Sequence, residues 1–346
     1  MYRSIIRPLL FLIDPERIHH LLVFCIKYFF KIPGLLPLIK SILSINDPRL
    51  SREVFGIKFP NPVGMAAGFD KNAEVFNQMR AFGFSFVEIG TITPQAQPGN
   101  PKPRVFRLIK DRALINRMGI NNFGAQSAVK RLKNRKHKII IGGNIGKNTV
   151  TPNPLAASDY EKGFAALYDY VDYIALNVSC PNVESLSELQ EKDLLREILE
   201  KLTKLRRDKS VYKPILVKIS PDLDFQHIDE SIELILKLGA DGIIATNTTT
   251  SRNGLSLTSQ ELESKGKGGM SGLPLKDRST EVIRYIVQKT GGKLPVIGVG
   301  GIMSEKDALE KLAAGASLIQ VYTGFIYEGP AFVKRINKAI LKAGNN

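Results

Sequence analysis

Cysteine is scarce: the 346-residue chain holds two, Cys25 and Cys180, far apart and in no CxxC pair. They offer neither a disulfide framework nor the ligands of an iron–sulfur cluster within the chain, and a reducing compartment fits. Four histidines, His19, His20, His137 and His227, are scattered without the spacing of metal ligands, so no metal site is expected. No zinc-finger, RRM or helix-turn-helix pattern accompanies the formal charge of +16, which argues against nucleic acid as the partner. The uninterrupted apolar runs fall well short of the ~20 residues of a spanning helix, and Arg17, Lys27 and Lys31 break them. Asp14, Glu16 and Arg17 stand where a signal peptide needs its apolar core, and no small-residue cleavage site follows. No G-x-G-x-x-G opens a helix after the first strand, which disfavours a doubly wound dinucleotide fold.

What is present is the composition of an ordinary soluble globular protein, 43% apolar and 24% charged. Residues 1–45 differ from the rest. Asp14-Pro15-Glu16 reads as a helix start, with Asp as N-cap, Pro at the first helical position and an acid in the first turn. An apolar stretch from Leu21 to Phe30 follows, Pro33-Gly34 stops it, and a second short apolar segment runs from Leu35 to Leu43. Cations recur among these apolar residues at Arg3, Arg7, Arg17, Lys27, Lys31 and Lys40. The expectation is a helical hairpin that dips into an anionic membrane surface; the alternative is one that packs on the main domain or a second subunit.

Residues 46–346 form a second unit. From about Pro60 a β-rich segment followed by a helical stretch recurs eight times, with strands expected at 62–67, 84–92, 138–144, 171–177, 215–219, 242–246, 295–299 and 318–322. Asp224 before Phe225 and Gly239 after Leu238 bracket one helix, and Ser304 with Asp307 reads as a capping box for another. Eight such repeats over ~280 residues predict an α/β fold, a (β/α)₈ TIM barrel with a small N-terminal helical hairpin, and chemistry at the C-terminal strand ends. Two longer excursions, 95–136 and 249–294, read as lids or binding loops.

Those strand ends are polar and glycine-rich. Ala67-Gly68-Phe69-Asp70-Lys71 ends the first strand, Gly90-Thr91 the second, Asn144 the third and Asn177-Val178-Ser179-Cys180-Pro181-Asn182 the fourth. Lys218, Thr246-Asn247-Thr248, Gly298-Val299-Gly300-Gly301 and Tyr322-Thr323-Gly324 end the others. Glycine-rich turns after the last two strands present backbone N–H groups to an anion, so a phosphorylated cofactor or substrate is expected. Gly268-Gly269-Met270-Ser271-Gly272 reads as a further source of such donors. The rim asparagines Asn116, Asn144, Asn177, Asn182 and Asn247 each offer a donor and an acceptor, which suits a flat heterocycle of alternating C=O and N–H groups. Lys71 and Lys218 add positive charge. Cys180, with no histidine near it in sequence, suits a general base better than half of a hydrolase-style nucleophile–His pair.

Taken together, Ala67-Gly68-Phe69-Asp70-Lys71, Asn116-Arg117-Met118-Gly119, Asn177 to Asn182, Gly269-Met270-Ser271-Gly272 and Gly298-Val299-Gly300-Gly301 resemble the signatures of the dihydroorotate dehydrogenases, in that family's order and over essentially the whole chain. The hairpin with Asp14-Pro15-Glu16 and His19 resembles the class 2, quinone-dependent, membrane-associated branch. The resemblance implies FMN at the C-terminal face, held by Ala67, Gly68, Phe69, Asp70, Lys71, Thr91, Asn144, Asn177, Lys218, Thr246, Gly272, Gly301, Tyr322 and Thr323. It implies dihydroorotate against Lys71, Asn116, Arg117, Met118, Gly119, Ile120, Asn177, Asn182, Asn247 and Thr248.

Its implied chemistry is oxidation of (S)-dihydroorotate to orotate: a base takes the C5 proton, hydride leaves C6 for the flavin, and a quinone arriving through the hairpin takes the electrons. Arg104 is a further residue for the quinone passage. Cys180 stands in the place of the base and Lys218 offsets charge on the reduced flavin. Peripheral contact with the cytoplasmic face of a bacterial inner membrane follows, with the chain a monomer or weak homo-oligomer. One departure matters: the class 2 pattern has serine where this chain has Cys180, and cysteine there is the habit of the soluble class 1 enzymes. The alternative is therefore a soluble class 1-type enzyme using fumarate or NAD, its hairpin an oligomer contact. A catalytically silent phosphate-binding barrel is a third reading, and it predicts a colourless protein.

Overall fold

The computed structural model describes residues 1–136, 139–178 and 188–344, leaving aside the side chains of 188–191. A π-helical turn, Tyr2–Ile6, runs into α1 (Arg7–Phe11), followed by α2 (Pro15–Phe29) and α3 (Leu35–Leu43). Asp14 caps α2 as its sequence predicts, its carboxylate accepting from the backbone N–H groups of Glu16 and Arg17. The strands are β1 (Arg52–Val54), β2 (Ile57–Phe59), β3 (Val63–Met65), β4 (Phe86–Ile92), β5 (Val105–Leu108), β6 (Ala113–Asn116), β7 (Ile140–Ile145), β8 (Tyr173–Asn177), β9 (Ile215–Ile219), β10 (Gly242–Ala245), β11 (Gly269–Gly272), β12 (Val296–Val299) and β13 (Leu318–Val321).

Eight of these close a barrel in the order β3-β4-β7-β8-β9-β10-β12-β13, every pair parallel. They are the eight strands read from the sequence, each within two residues at its ends apart from Lys138, which lies outside the described residues. The helices pack outside. In the helix Phe225–Leu238 the buried Ile228, Ile232 and Ile235 fall on one stripe; Asp224 accepts from His227 N–H at its start, and Gly239 at φ +77° ends it. Ser304 caps Glu305–Ala313 by accepting from Asp307 N–H, but the Asp307 carboxylate turns to the backbone N–H of Met303 instead of completing a capping box.

Side chains two apart on a strand share a face, so the barrel fills in layers. Phe86, Ile140, Leu216, Ile244, Ile297 and Leu318 point inward with Tyr173, and the β1–β2 hairpin adds Val54 and Phe59 to the same apolar cluster. Gly142 on β7 is what admits the Tyr173 ring: a Cβ there would lie 2.1 Å from it. The long excursions are partly structured. β5, β6 and β11 form an antiparallel sheet, so Gly269–Gly272 spends its backbone on β6 instead of hanging free as a loop.

The N-terminal segment is tied to the barrel more closely than its charge suggests. Tyr2 Oη donates to the Ile326 carbonyl, Arg7 to that of Tyr327, and Arg3 pairs with the buried Glu328. Lys27 pairs with Glu74. Three of the six cations that suggest a lipid surface are thus turned onto the barrel.

Candidate active site

Two residues beyond the apolar layer, or four on β7, the same strands turn polar. Glu88 on β4, Asn144 on β7, Lys218 on β9 and Gln320 on β13 project inward with the Tyr173 hydroxyl, all at least nine-tenths buried. Glu88 accepts from Asn144 Nδ2 and Gln320 Nε2, each at 2.8 Å, and from Tyr173 Oη at 3.4 Å, with Lys218 Nζ at 3.6 Å. Burial and the Glu88 charge push the Tyr173 hydroxyl well above its ordinary pKa, so it stays a donor. From Asn144 a chain of hydrogen bonds climbs to the rim. Thr91 donates to Asn144 Oδ1 at 2.5 Å, Asn177 to Thr91 at 2.9 Å and Asn247 to Asn177 Oδ1 at 3.1 Å. The backbone N–H of Thr248 donates to Asn247 Oδ1 at 2.9 Å.

Above this network a continuous cavity runs from Thr246, Gly300 and Thr323 at one end to Pro15, Glu16, Ile18, His19 and Leu22 of α2 at the other. Its wall brings together Ala67, Gly68, Phe69, Lys71, Thr91, Asn116, Met118, Ile120, Asn177, Lys218, Thr246, Asn247, Thr248, Gly272, Gly301, Tyr322 and Thr323 from the sequence-based set. The other members are placed differently. Asn144 sits beneath the wall in the network. Asp70 caps the turn that follows it, accepting from the N–H groups of Glu74 and Val75, and burial raises its carboxyl to about 6. Arg117 sends its guanidinium away, over the Phe106 ring and onto the carbonyls of Lys265, Lys267 and Pro103. Gly119, at φ +69°, shapes the turn. Cys180 and Asn182 lie outside the described residues.

At the hairpin end, Arg104 grips Glu16 through two hydrogen bonds, 2.8 and 3.1 Å, with Lys102 at 3.4 Å. Burial pushes the Glu16 carboxyl up, but the Arg104 hydrogen bonds and charge, with Lys102, outweigh it and bring it to about 2. His19 packs edge-on against Phe69 at 5.2 Å; burial, with Lys71 and His20 nearby, lowers it to about 3, so it is neutral. Lys71, whose ammonium donates to the Gly68 carbonyl at 3.1 Å, is lowered to about 8 by burial and the Arg104 charge.

The wall suits a flat heterocycle with a phosphate tail. Gln320 and Asn121 line the cavity, and their side-chain oxygens are buried acceptors without a hydrogen-bond partner among the described residues. Gly272, Gly300 and Gly301 have φ of +105°, +113° and +71°. A Cβ on Gly301 would meet Lys276 Cα at 2.1 Å, so the chain there is bare backbone held against the start of the helix Lys276–Thr290.

Sequence reading missed Glu88, Gln320 and Tyr173 within the barrel, and Glu16 at its edge. A signal for the first was present: Phe86-Val87-Glu88-Ile89 puts a carboxylate on the inward face of an otherwise apolar strand.

Residues 49–343 match the family model described as dihydroorotate dehydrogenase. The chain belongs to the dihydroorotate dehydrogenase family. A curated relative from Christiangramia forsetii, dihydroorotate dehydrogenase (quinone), is 53% identical over 345 residues, covering 99% of this chain and 100% of its own. One of the same description from Gloeobacter violaceus is 49% identical over 338 residues, covering 97% and 92%. Among solved structures, the ligand-free dihydroorotate dehydrogenase of Eimeria tenella is 36% identical, with a TM-score of 0.86 over 96% of both chains. The same enzyme in complex with ferulenol gives 0.84, covering 96% of this chain and 92% of that one. These relatives bear the quinone-dependent description along the full chain, hairpin included, so the likeness runs to the quinone-dependent dihydroorotate dehydrogenases and the soluble class 1-type alternative falls away.

Proposed function

We propose that the cavity seats FMN, and that Cys180, three residues past the tip of β8, is the base that starts the reaction. As a member of the quinone-dependent branch, the chain oxidises dihydroorotate to orotate and delivers the electrons to a quinone. The observation that carries this reading is the shape of the cavity: one space joins the glycine turns of the barrel rim to Glu16, His19 and Leu22 of the hairpin.

Gly272, Gly301 and Thr323 would hold the phosphate of FMN, and Ala67, Gly68, Thr91, Asn177, Lys218, Thr246 and Tyr322 the rest, with Asn144 fixing Thr91 from beneath. When bound, FMN supplies the hydride acceptor and the relay of electrons onward. Lys71 neutralises the carboxylate of dihydroorotate, and Asn116, Asn177, Asn182, Asn247 and Thr248 fix its ring through paired donors and acceptors. The Cys180 thiolate takes the C5 proton onto Sγ. Lys218, whose Nζ lies 3.6 Å from Glu88 on a residue that lines the cavity, would offset negative charge on the reduced flavin. Glu16, Arg104 and the neutral His19 frame the mouth through which the quinone enters.

The membrane seat is peripheral. Among the described residues no helix is long and apolar enough to cross a membrane. Leu9, Leu12, Leu21, Phe24, Phe29, Ile32, Leu38 and Ile42 are exposed on the N-terminal segment, an apolar face that dips into the inner leaflet of the bacterial inner membrane with Arg17, Lys31 and Lys40 at the headgroups.

The test offers the dihydroorotate-reduced protein a soluble quinone analogue, fumarate and NAD in turn. Rapid reoxidation by the quinone analogue alone is expected. Reoxidation by fumarate or NAD at comparable rates would overturn the assignment of acceptor.

A further inference from the structure

Glu88 is a buried carboxylate for which the proposed chemistry has no direct use. It does not line the cavity, yet four polar neighbours turn a donor toward it: Asn144 Nδ2, Gln320 Nε2, Tyr173 Oη and Lys218 Nζ. With an amide nitrogen donating to each of its two oxygens, the carboxylate serves as acceptor on both sides and fixes which way each neighbouring amide faces. With its nitrogen committed to Glu88, Asn144 has only Oδ1 to offer Thr91. The Thr91 hydroxyl then spends its single proton on Asn144 and must accept from Asn177, whose Oδ1 in turn accepts from Asn247. The far end is pinned in the same sense, since the Thr248 backbone N–H can only donate to Asn247. Gln320, which lines the cavity, is set likewise: its nitrogen faces Glu88, and its Oε1 is left a buried acceptor without a partner among the described residues.

Resting on the FMN and dihydroorotate reading above, we propose that Glu88 is the positioning residue that sets the hydrogen-bond polarity of the whole site, acting through Asn144, Thr91 and Asn177 on the substrate and through Gln320 on the cofactor. It needs to be a carboxylate for this. An amide of the same shape would place an NH₂ group against either Asn144 Nδ2 or Gln320 Nε2, and whichever faced it would have to turn over. If Asn144 turns, its nitrogen meets Thr91 and the directions set from Glu88 collide with those pinned at Thr248, so a hydrogen bond at Thr91 or Asn177 is lost beside the substrate; if Gln320 turns, a donor replaces an acceptor on a residue that lines the cavity.

The geometry also specifies a repair. With Glu88→Gln combined with Asn144→Asp, the new amide nitrogen donates to the new carboxylate and its oxygen accepts from Gln320 and Tyr173. Thr91 and everything above it keep their directions. A residue that only filled space would not be rescued by a second buried change, so the pair separates orientation from packing.

The experiment uses the full chain. Apo-protein is titrated with FMN by the quenching of flavin fluorescence, and the oxidised holoprotein is titrated with orotate by its visible difference spectrum. Glu88→Gln is expected to raise at least one of the two dissociation constants tenfold or more, and the double variant to return both to within about threefold of the parent. A single variant that binds both ligands like the parent overturns the proposal, as does a double variant that fails to fold or to recover binding. Should the single variant not fold, recovery in the double variant still supports the proposal. If the parent itself takes up no FMN or no orotate, it is the reading of the site that has failed, a result distinguishable from any of these.

Discussion

Replacing Glu16 by Gln should loosen the hairpin without disturbing the barrel. Glu16 is 7% exposed, and Arg104, equally buried, holds it through two hydrogen bonds. The fall of its carboxyl from 4.5 to about 2 corresponds to roughly 3 kcal/mol at about 1.4 kcal/mol per pKa unit. Arg104 would not be left bare, because its guanidinium also donates to the carbonyls of Pro98 and Asn100. The loss should therefore stay near the lower edge of the ~3–5 kcal/mol typical of a broken buried pair, about 2–3 kcal/mol. Amide hydrogen exchange resolved along the chain is the assay, since local opening is what changes. Amides of α2 should exchange about thirtyfold to a hundredfold faster in the variant, with those of β4, β7 and β8 unchanged. The carboxylate pKa is depressed in the folded protein, so the contribution is intact above pH 4.5 and disappears as pH falls through about 2; the unmodified protein should show the same loosening of α2 in that window. Exchange in α2 within about threefold of the parent would refute the docking role of this pair.

Three further outcomes follow from the site. Lys71 lies near 8 in the substrate-free protein, so orotate affinity should hold below that pH and decline as the ammonium deprotonates above it; a flat profile to pH 10, or one unchanged by Lys71→Met, would contradict its pairing with the carboxylate. Gly301→Ala forces a Cβ to within 2.1 Å of Lys276 Cα at φ +71°; the backbone strain alone is about 1–2 kcal/mol, so FMN affinity should fall roughly tenfold or more, and a variant purified with full flavin content would argue against that cradle. Cys180→Ala should leave the flavin spectrum in place while slowing reduction by dihydroorotate about 10²–10⁴-fold, and near-normal reduction would remove Cys180 from the role of base.

The barrel was legible because each of its strands is a short apolar run broken by glycine, asparagine or threonine at one end, and because helices such as Phe225–Leu238 carry their caps in the sequence. The rim was legible for the same reason: strand ends in a barrel converge, so Lys71, Thr91, Asn177, Lys218 and Asn247 meet on one wall although up to 176 residues separate them. What lay below the rim was hidden by layering. Whether Glu88 and Gln320 point inward or outward depends on register, and a one-residue slip exchanges the faces. Tyr173 reads as an ordinary core residue until Gly142 is seen to make room for its ring. That some N-terminal cations also contact the barrel is hidden in the sequence because Glu328, which holds Arg3, Arg112 and Arg335, lies more than 300 residues from the first of them. Arg117 belongs to a motif that resembles a substrate site, but its guanidinium serves the loop at 265–267.

The measurement that bears most directly on the account is an anaerobic titration of the purified protein with dihydroorotate, followed in the visible spectrum and by orotate yield. The account predicts a yellow protein that bleaches with one orotate formed per FMN, and whose colour returns on adding a soluble quinone analogue. A colourless protein, or a yellow one that dihydroorotate does not bleach, would contradict it.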